Sequence, residues 1–220
     1  MNKFIDLDDN GLEVGAGAGF SKHFIKNKNF KICDIENHNH LDLKGVDAQK
    51  TNLPDKSYNF VIASNMLHHV AFPIRFLNEM HRILKPGGKL IIQEAYCSII
   101  FQIITILMRH EGFDFTKNIW TENEAMSNNS DAWSGNIAVP HLIFDDKNLF
   151  KNKFESKFLI EHEKIYECFI FLNSGGVSSK TFYIPLNSFF LNILAYLDKI
   201  LVYLFPKIFG MGRQIVLKKI

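Results

Sequence analysis

The sequence predicts an α/β fold with a doubly wound, mostly parallel sheet, and two observations carry this prediction. Apolar runs of strand length alternate with segments of helical period over the first 96 residues. Three glycines at every second position, Gly15, Gly17 and Gly19, follow the first apolar run and lead into a candidate helix start at Ser21. A strand, a glycine turn and a helix in this order form a small-molecule site at the carboxyl edge of a sheet.

The elements of this first part follow from local patterns. The helix after the glycines is expected to run to about Lys26. A second helix is expected from Pro73, whose fixed φ suits a first turn. Apolar residues recur along this second helix with the 3.6-residue period. The strands are expected at residues 12–15, 30–33, 58–63 and 89–94.

Length and composition fit one globular domain. The chain has 220 residues, of which 47% are hydrophobic and 22% charged, so it can bury a core without disulfides. A formal net charge of +2 gives no electrostatic reason to expect nucleic acid as a partner. The three cysteines lie far apart, which predicts reduced thiols, and residues 1–10 contain no apolar signal segment. A cytoplasmic location is expected.

Asp34 ends the second predicted strand and is a candidate ligand for a ribose. It follows Gly15 at close to the roughly 20 residues that separate a glycine turn from an acid accepting hydrogen bonds from ribose hydroxyls. A solvated turn aspartate is the alternative. The glycine pattern departs from the dinucleotide fingerprint because Phe20 follows Gly19, which disfavours a nicotinamide oxidoreductase.

Several ordered motifs extend this pattern over about residues 11–96. They are E-x-G-x-G-x-G at 13–19, D-A-x-x-x-x-L-P at 47–54, L-H-H-V at 67–70 and R-I-L-K-P-G-G at 82–88. Together they resemble the small-molecule, type 11-like class I S-adenosylmethionine-dependent methyltransferases. The resemblance implies a Rossmann-like, seven-stranded, mostly parallel sheet with an antiparallel last strand. It also implies transfer of a methyl group from S-adenosylmethionine to a small-molecule acceptor.

The resemblance also implies which residues hold the cofactor. Its methionine part would lie among residues of the glycine turn, its ribose at the end of the second strand, and its adenine beside the next loop. These positions are Glu13, Gly15, Ala16, Gly17 and Gly19, then Asp34 and Ile35, then Asp47 and Ala48, with Asn65 on the pocket floor. Backbone N–H groups at a helix start suit the methionine carboxylate, and Glu13 or nearby carbonyls suit its ammonium.

Only about eleven residues precede the first predicted strand, where members of the family usually carry a helix or two. This predicts either an open cofactor site or a shortened chain. A catalytically weak or inactive binding protein with the methyltransferase fold is therefore the alternative function.

An alcohol acceptor benefits from a general base, and histidine suits this role near neutral pH. The candidates are His68, His69 and His110, with Glu111 able to orient or replace one of them. Because neighbouring residues at a helix start point apart, at most one of the first two is expected to face the pocket. No metal site is predicted: His38 and His40 lack a third ligand nearby, which favours a solvated loop.

The second half of the chain is rich in phenylalanine and contains two apolar helices, at residues 97–109 and 186–205. The first is too short to span a membrane, and Asp198 and Lys199 interrupt the second. Two interpretations stay open. The helices cover the sheet, or they form an apolar surface that makes peripheral contact with a membrane or a lipid-linked acceptor.

The polar loop at 117–140 holds both tryptophans, Trp120 and Trp133. They either stack on a glycan acceptor or anchor the loop to the core. Strands are expected at 157–166 and, antiparallel, at 213–217, with an α-helical insertion over 175–212. We expect a single domain with a cofactor core at 11–96 and an acceptor side at 97–220. Segments 109–114, 136–140 and 172–178 look similar to methyltransferases encoded with bacterial surface-polysaccharide enzymes.

Overall fold

One seven-stranded sheet organises the protein and takes strands from both halves of the chain. The computed structural model describes residues 1–109, 111–128, 130–131, 133–175 and 181–220. The strand order is β3-β2-β1-β4-β5-β7-β6, with β7 antiparallel to both of its neighbours. The strands are β1 Asn10–Val14, β2 Asn29–Asp34, β3 Leu43–Lys44, β4 Tyr58–Ser64, β5 Leu84–Ala95, β6 Phe158–Tyr166 and β7 Gly212–Lys219. The predicted fold class is confirmed.

The strand order reverses at β1, which pairs in parallel with β2 on one side and with β4 on the other. In open parallel sheets, ligands bind outside the carboxyl ends of the strands at such a switch point. The residues that follow β1, β2 and β4 therefore meet at one edge of the sheet.

Seven α-helices are assigned in the described residues. Pro73 begins α1, as its position predicts, and the buried face of this helix packs on the sheet. The helices are α1 Pro73–Ile83, α2 Ile99–Leu107, α3 Val139–Phe144, α4 Lys147–Phe154, α5 Phe169–Asn173, α6 Ser188–Leu204 and α7 Pro206–Phe209.

The prediction of a helix after the glycine turn is wrong. Only a four-residue 3-10 helix, Phe20–His23, follows Gly19, and the chain enters β2 at Asn29. Ile25 is the buried apolar residue of this segment, and too few residues remain for a helix with an apolar stripe. The dipole of a long helix therefore does not act on the turn, and the loop must hold a ligand through its own N–H groups.

The two faces of the sheet are covered unequally. Helices α1, α3 and α4 pack over one face around Leu12, Val61 and Leu90. The other face, around Ile62 and Ile91, is covered by the N-terminal segment and Ile25.

The connection from β6 to β7, residues 167–211, contains the helical insertion, which begins eight residues before the predicted start at 175. Asp198 of α6 is buried and accepts hydrogen bonds from the backbone N–H groups of Cys168, Phe169 and Ile170, at 2.9 to 3.0 Å. This carboxylate therefore docks α6 on the first turn of α5.

Candidate active site

A cavity of about 760 Å³ lies at the carboxyl ends of β1, β2 and β4. This volume falls within the range of about 300 to 1,000 Å³ that small-molecule sites occupy. Of the ten cofactor residues expected from the resemblance, eight line it: Gly15, Ala16, Gly17, Asp34, Ile35, Asp47, Ala48 and Asn65. The wall also includes His38, His40, Met66, His69 and Trp133.

The glycine turn forms one wall of the cavity and requires glycine for two different reasons. Gly15, Gly17 and Gly19 all have positive φ, at 65°, 49° and 73°. A Cβ on Gly15 would lie 2.8 Å from Met66, whereas one on Gly17 would meet no atom within 4 Å. The space beside Gly17 therefore belongs to the cavity, so a ligand can approach the backbone there.

Asp34 joins the ends of β1 and β2. Its Oδ2 accepts a hydrogen bond from Gly17 N–H at 2.8 Å, and its Oδ1 accepts one from Glu36 N–H at 3.0 Å. A carboxylate has more acceptor positions than these two bonds use. Asp34 can therefore hold the turn and accept hydrogen bonds from a ligand in the cavity.

Glu13 and Gly19 do not line the cavity. Glu13 is buried behind the turn and accepts a hydrogen bond from the Ser21 hydroxyl. Burial raises the pKa of Glu13 to about 7, against the effect of the Ser21 hydrogen bond, and Asp34 adds to the rise.

Asn65 follows β4 in a left-handed conformation, with φ at 50°. Its N–H donates to the carbonyl of Gln93 at 2.8 Å, which ties this turn to the end of β5. Residues other than glycine adopt this conformation at a cost, and such positions concentrate at functional sites.

A cluster of two histidines and two glutamates adjoins the cavity. His68 Nδ1 lies 2.6 Å from Glu94 Oε2, and His68 Nε2 lies 3.3 Å from Glu111 Oε2. His69 Nε2 lies 3.9 Å from Glu111 Oε1. The two imidazole centroids are 4.2 Å apart, so the expectation that these rings diverge is wrong, although only His69 lines the cavity.

The two histidines have opposite electrostatic environments. Burial lowers the pKa of His68, but the carboxylates of Glu94 and Glu111 outweigh this effect and raise the pKa to about 10. Burial and the neighbouring His68 lower the pKa of His69. The pKa of His68 is therefore raised and that of His69 lowered, although the two rings are neighbours.

The loop from Glu111 to Ile137 closes this side of the site. Asn136 N–H donates to the carbonyl of His68 at 2.8 Å, and the Ser127 hydroxyl donates to that of His69 at 2.6 Å. Trp133 is 72% exposed at the cavity wall, and its indole N–H donates to Glu36 at 3.2 Å. Trp120 instead packs against the core, so the two tryptophans divide between the alternatives expected from the sequence.

Other sequence-predicted residues have mixed outcomes. His110 lies outside the described residues. His38 and His40 are exposed, as a solvated loop predicts, yet both line the cavity, and His40 Nε2 lies 2.7 Å from the carbonyl of Gly17. Sequence reasoning missed Glu94, which is 2% exposed. Its signal is a carboxylate near the carboxyl end of β5, soon after the apolar run 90–92, on the same sheet edge as Asn65.

A doubly wound sheet with a glycine turn and a strand-end aspartate at one cavity defines an α/β protein that binds a nucleoside-type cofactor. The family model described as a methyltransferase domain matches residues 2–124. The chain belongs to this methyltransferase family, and its cofactor is S-adenosylmethionine.

The curated relatives match only part of this chain. Demethylmenaquinone methyltransferase of Listeria monocytogenes is 34% identical over 74 residues, which cover 34% of this chain and 31% of that protein. Fusarin C synthetase of Gibberella fujikuroi is 29% identical over 97 residues, 44% of this chain and 2% of that protein. The chain thus matches less than a third of the length of these relatives.

Solved structures match the whole fold. A SAM-dependent methyltransferase from Archaeoglobus fulgidus superposes with a TM-score of 0.57 at 15% identity, over 99% of this chain and 89% of that one. A protein from Pyrococcus horikoshii OT3 gives 0.52 at 15% identity, over 99% and 85%. At this level of identity the likeness concerns the fold.

Proposed function

We propose that this protein transfers a methyl group from S-adenosylmethionine, in line, to a hydroxyl oxygen of a small-molecule or glycan acceptor, including a lipid-linked sugar. One observation carries the proposal: the glycine turn, Asp34 and His69 line the same cavity. Residues 11–96 would form the cofactor core, and residues 97–220 the acceptor side.

The residues of the cavity suit the cofactor. The open space beside Gly17 would admit its methionine part, and Asp34, with Ile35 beside it, would accept hydrogen bonds from the ribose hydroxyls. Asp47 and Ala48 would flank the adenine, and Asn65 would form the floor. Glu13 and Gly19 would shape the turn from behind the cavity wall.

When bound, S-adenosylmethionine supplies a methyl group on a positively charged sulfur, and its displacement by an acceptor oxygen leaves a neutral thioether. The hydroxyl must lose its proton during this step, so a group that stabilises the deprotonated oxygen accelerates it. His69, which lines the cavity, would take this role, with Glu111 and His68 adjoining it. His110 completes the proposed catalytic set on sequence grounds alone.

Trp133 supports an acceptor with a flat apolar face, because an exposed indole at a cavity wall offers a stacking surface. A sugar ring has such a face. The similarity to surface-polysaccharide methyltransferases favours the same class. The Listeria relative is a demethylmenaquinone methyltransferase, which adds an acceptor of that kind to the candidates.

On the acceptor side, residues 97–109 and 186–205 would also make peripheral contact with a membrane. Helix α2 exposes Ile103, Ile106 and Leu107, and α6 exposes aromatic residues including Phe189 and Tyr203. Asp198 is the sole carboxylate of these two segments, and it is buried, whereas Lys199 is exposed. An apolar face with basic and tyrosine side chains suits an anionic bilayer surface. In the described part of the chain, no helix is long and apolar enough to cross a membrane.

The membrane contact is tested by co-sedimentation of the full chain with vesicles of neutral lipid and with vesicles that contain anionic lipid. We expect sedimentation with the anionic vesicles and a loss of it in the double variant Ile106→Asn/Tyr203→Ser. Protein that stays in the supernatant with both vesicles contradicts the proposal. The cytoplasmic location stays a prediction.

The methyl transfer is tested with the purified protein and a panel of hydroxylated acceptors, with product mass as the measurement. A gain of one methyl group that depends on S-adenosylmethionine supports the proposal. Cofactor binding with no methylation of any acceptor would favour the alternative, an inactive binding protein with this fold. Absence of cofactor binding by the folded protein would contradict both.

A further inference from the structure

Three side chains beside the cofactor cavity hold potential metal-ligand atoms close together. His68, His69 and Glu111 each offer one atom, and these atoms lie within 4.8 Å of one another. Metal–ligand bonds of about 2.0 to 2.2 Å keep neighbouring ligands of one ion about 3 to 3.5 Å apart. His68 Nε2 lies 3.3 Å from Glu111 Oε2, and His69 Nε2 lies 3.9 Å from Glu111 Oε1, so each histidine is close to this range from one carboxylate oxygen.

The outer hydrogen bonds of both imidazoles favour a ligand at this point. His68 Nδ1 faces Glu94 Oε2 at 2.6 Å, and the other oxygen of Glu94 accepts from Leu67 N–H at 2.6 Å. His69 Nδ1 donates to the carbonyl of Ser134 at 3.2 Å. A proton on Nδ1 of each ring leaves Nε2 as the metal-binding atom, and an ion that binds there displaces any proton on Nε2. A carboxylate or carbonyl on the outer nitrogen is the usual support of a metal-binding histidine.

This arrangement brings acceptor atoms together. When both Nε2 atoms are deprotonated, they and the carboxylate of Glu111 are all acceptors, and a positive charge between them stabilises this arrangement. A proton on His68 bridges two of the three atoms, whereas a divalent ion bonds all three. Two imidazoles and one carboxylate, without thiolate, form a donor set suited to first-row transition metals.

The cluster is also built to fit closely. A Cβ on Gly135 would lie 2.5 Å from Glu111 Oε2 and 3.1 Å from His69 Nδ1, so glycine at this position lets the loop backbone pack against both ligands. The bridge between Gly112 and Asn136 holds the two ends of this loop together next to Glu111.

We propose that His68, His69 and Glu111 bind a divalent first-row transition-metal ion at the wall of the cofactor cavity, with Glu94 as the positioning residue of His68. The ion has a further coordination position toward the cavity, where it binds the acceptor hydroxyl and stabilises its deprotonated form; the proton passes to solvent. This assignment departs from the sequence prediction of no metal, because Glu111 joins the histidines only through the folded loop. The role toward the acceptor rests on the proposed function, but the binding of the ion does not.

The test titrates the chelator-treated full chain with Co²⁺, followed by its visible absorption, and with Zn²⁺ in competition with a coloured chelator. We expect one ion per chain. We expect Glu111→Gln and His69→Ala to weaken binding at least tenfold, and Glu94→Gln to weaken it about 10- to 100-fold through its positioning of His68. Gly135→Ala should weaken binding too, because it displaces Glu111 without removing a ligand.

The matched control is His38→Ala, which removes an exposed histidine of the same cavity that is paired with a carboxylate, Glu36. It should leave ion binding unchanged. Calorimetry with S-adenosylhomocysteine verifies that each variant is folded. A wild-type chain that binds this product but no ion overturns the inference, as do ligand variants that bind the ion like the wild type. A chain that binds the ion but not the product instead overturns the proposed function.

Discussion

The cofactor half and the acceptor half of this protein differ in how far they bury their apolar residues. Up to β5, the strands are buried and α1 hides its apolar stripe against the sheet. In the acceptor half, α6 buries Asp198 and Val202 and exposes most of its apolar residues. The comparison teaches that the first half is organised around its own core and a small cavity, whereas the second has an apolar surface that the described part of the chain leaves exposed.

The contrast between the two halves requires that binding of the cofactor depend on Asp34, at the end of β2. Asp34→Ala removes the proposed ribose acceptor and the partner of Gly17 N–H. We expect a loss of affinity for S-adenosylmethionine of about 10- to 150-fold, since a hydrogen bond to a charged group contributes about 1.5 to 3 kcal/mol. Isothermal titration calorimetry measures this loss.

Asp42→Asn is the control, because Asp42 also accepts a backbone hydrogen bond next to β2 but does not line the cavity. It should keep the wild-type affinity. Equal losses in both variants would mean that the effect comes from the fold rather than from the ligand site.

The acceptor half should respond in stability rather than in cofactor binding. Asp198→Asn replaces a charged acceptor of three backbone N–H groups with an amide that turns a donor toward them. We expect a loss of about 2 kcal/mol in the free energy of unfolding, with unchanged calorimetry for S-adenosylmethionine. Lys199→Ala, at the next and exposed position, should change neither quantity.

Glu13 offers a pH-dependent contrast within the cofactor half. Its folded-state pKa of about 7 lies above the ordinary 4.5, so stability is lost progressively as the pH rises from 4.5 to 7, and the full cost of the buried charge applies above pH 7. Below pH 4.5 the carboxyl is neutral in both states, and this cost is absent. Glu13→Gln should therefore stabilise the protein by about 3 kcal/mol at pH 8 and by less than about 1 kcal/mol at pH 5. Denaturant unfolding at both pH values measures this, and an equal change at both would contradict it.

The smallest effect separates strain from ligand contact in two glycines. Gly17 and Gly87 both have positive φ, and a Cβ on either would meet no atom within 4 Å, but only Gly17 lines the cavity. Alanine at each should cost about 1 kcal/mol in stability, because both positions favour glycine. Only Gly17→Ala should also lower the affinity for S-adenosylmethionine, by about tenfold. Equal affinities in the two variants would remove the turn from the site.

The sequence predicts the cofactor half well because its signals are local. Gly15, Asp34 and Asn65 stand at strand ends that neighbouring apolar runs identify, and parallel strands bring their ends to one edge. The exception is the helix expected after Gly19. The apolar residues there favour a helix, but β2 begins at Asn29, too soon for a full helix to form.

The acceptor half depends on contacts between distant residues. Glu111 reaches His68 only because the loop folds back to Asn136, and Trp133 lines the cavity for the same reason. The orientation of α6 depends on Asp198, which binds α5 across 30 positions of chain. No periodicity in the sequence reports such contacts.

The most direct measurement is a crystal structure with S-adenosylhomocysteine bound. We expect the homocysteine part to lie against Gly15 and Gly17 and the ribose hydroxyls to bind Asp34. The sulfur should face the side of the cavity that contains His69. A ligand bound outside this cavity, or one whose adenine occupies the place beside His69, would contradict the claim that one cavity holds both methyl donor and acceptor.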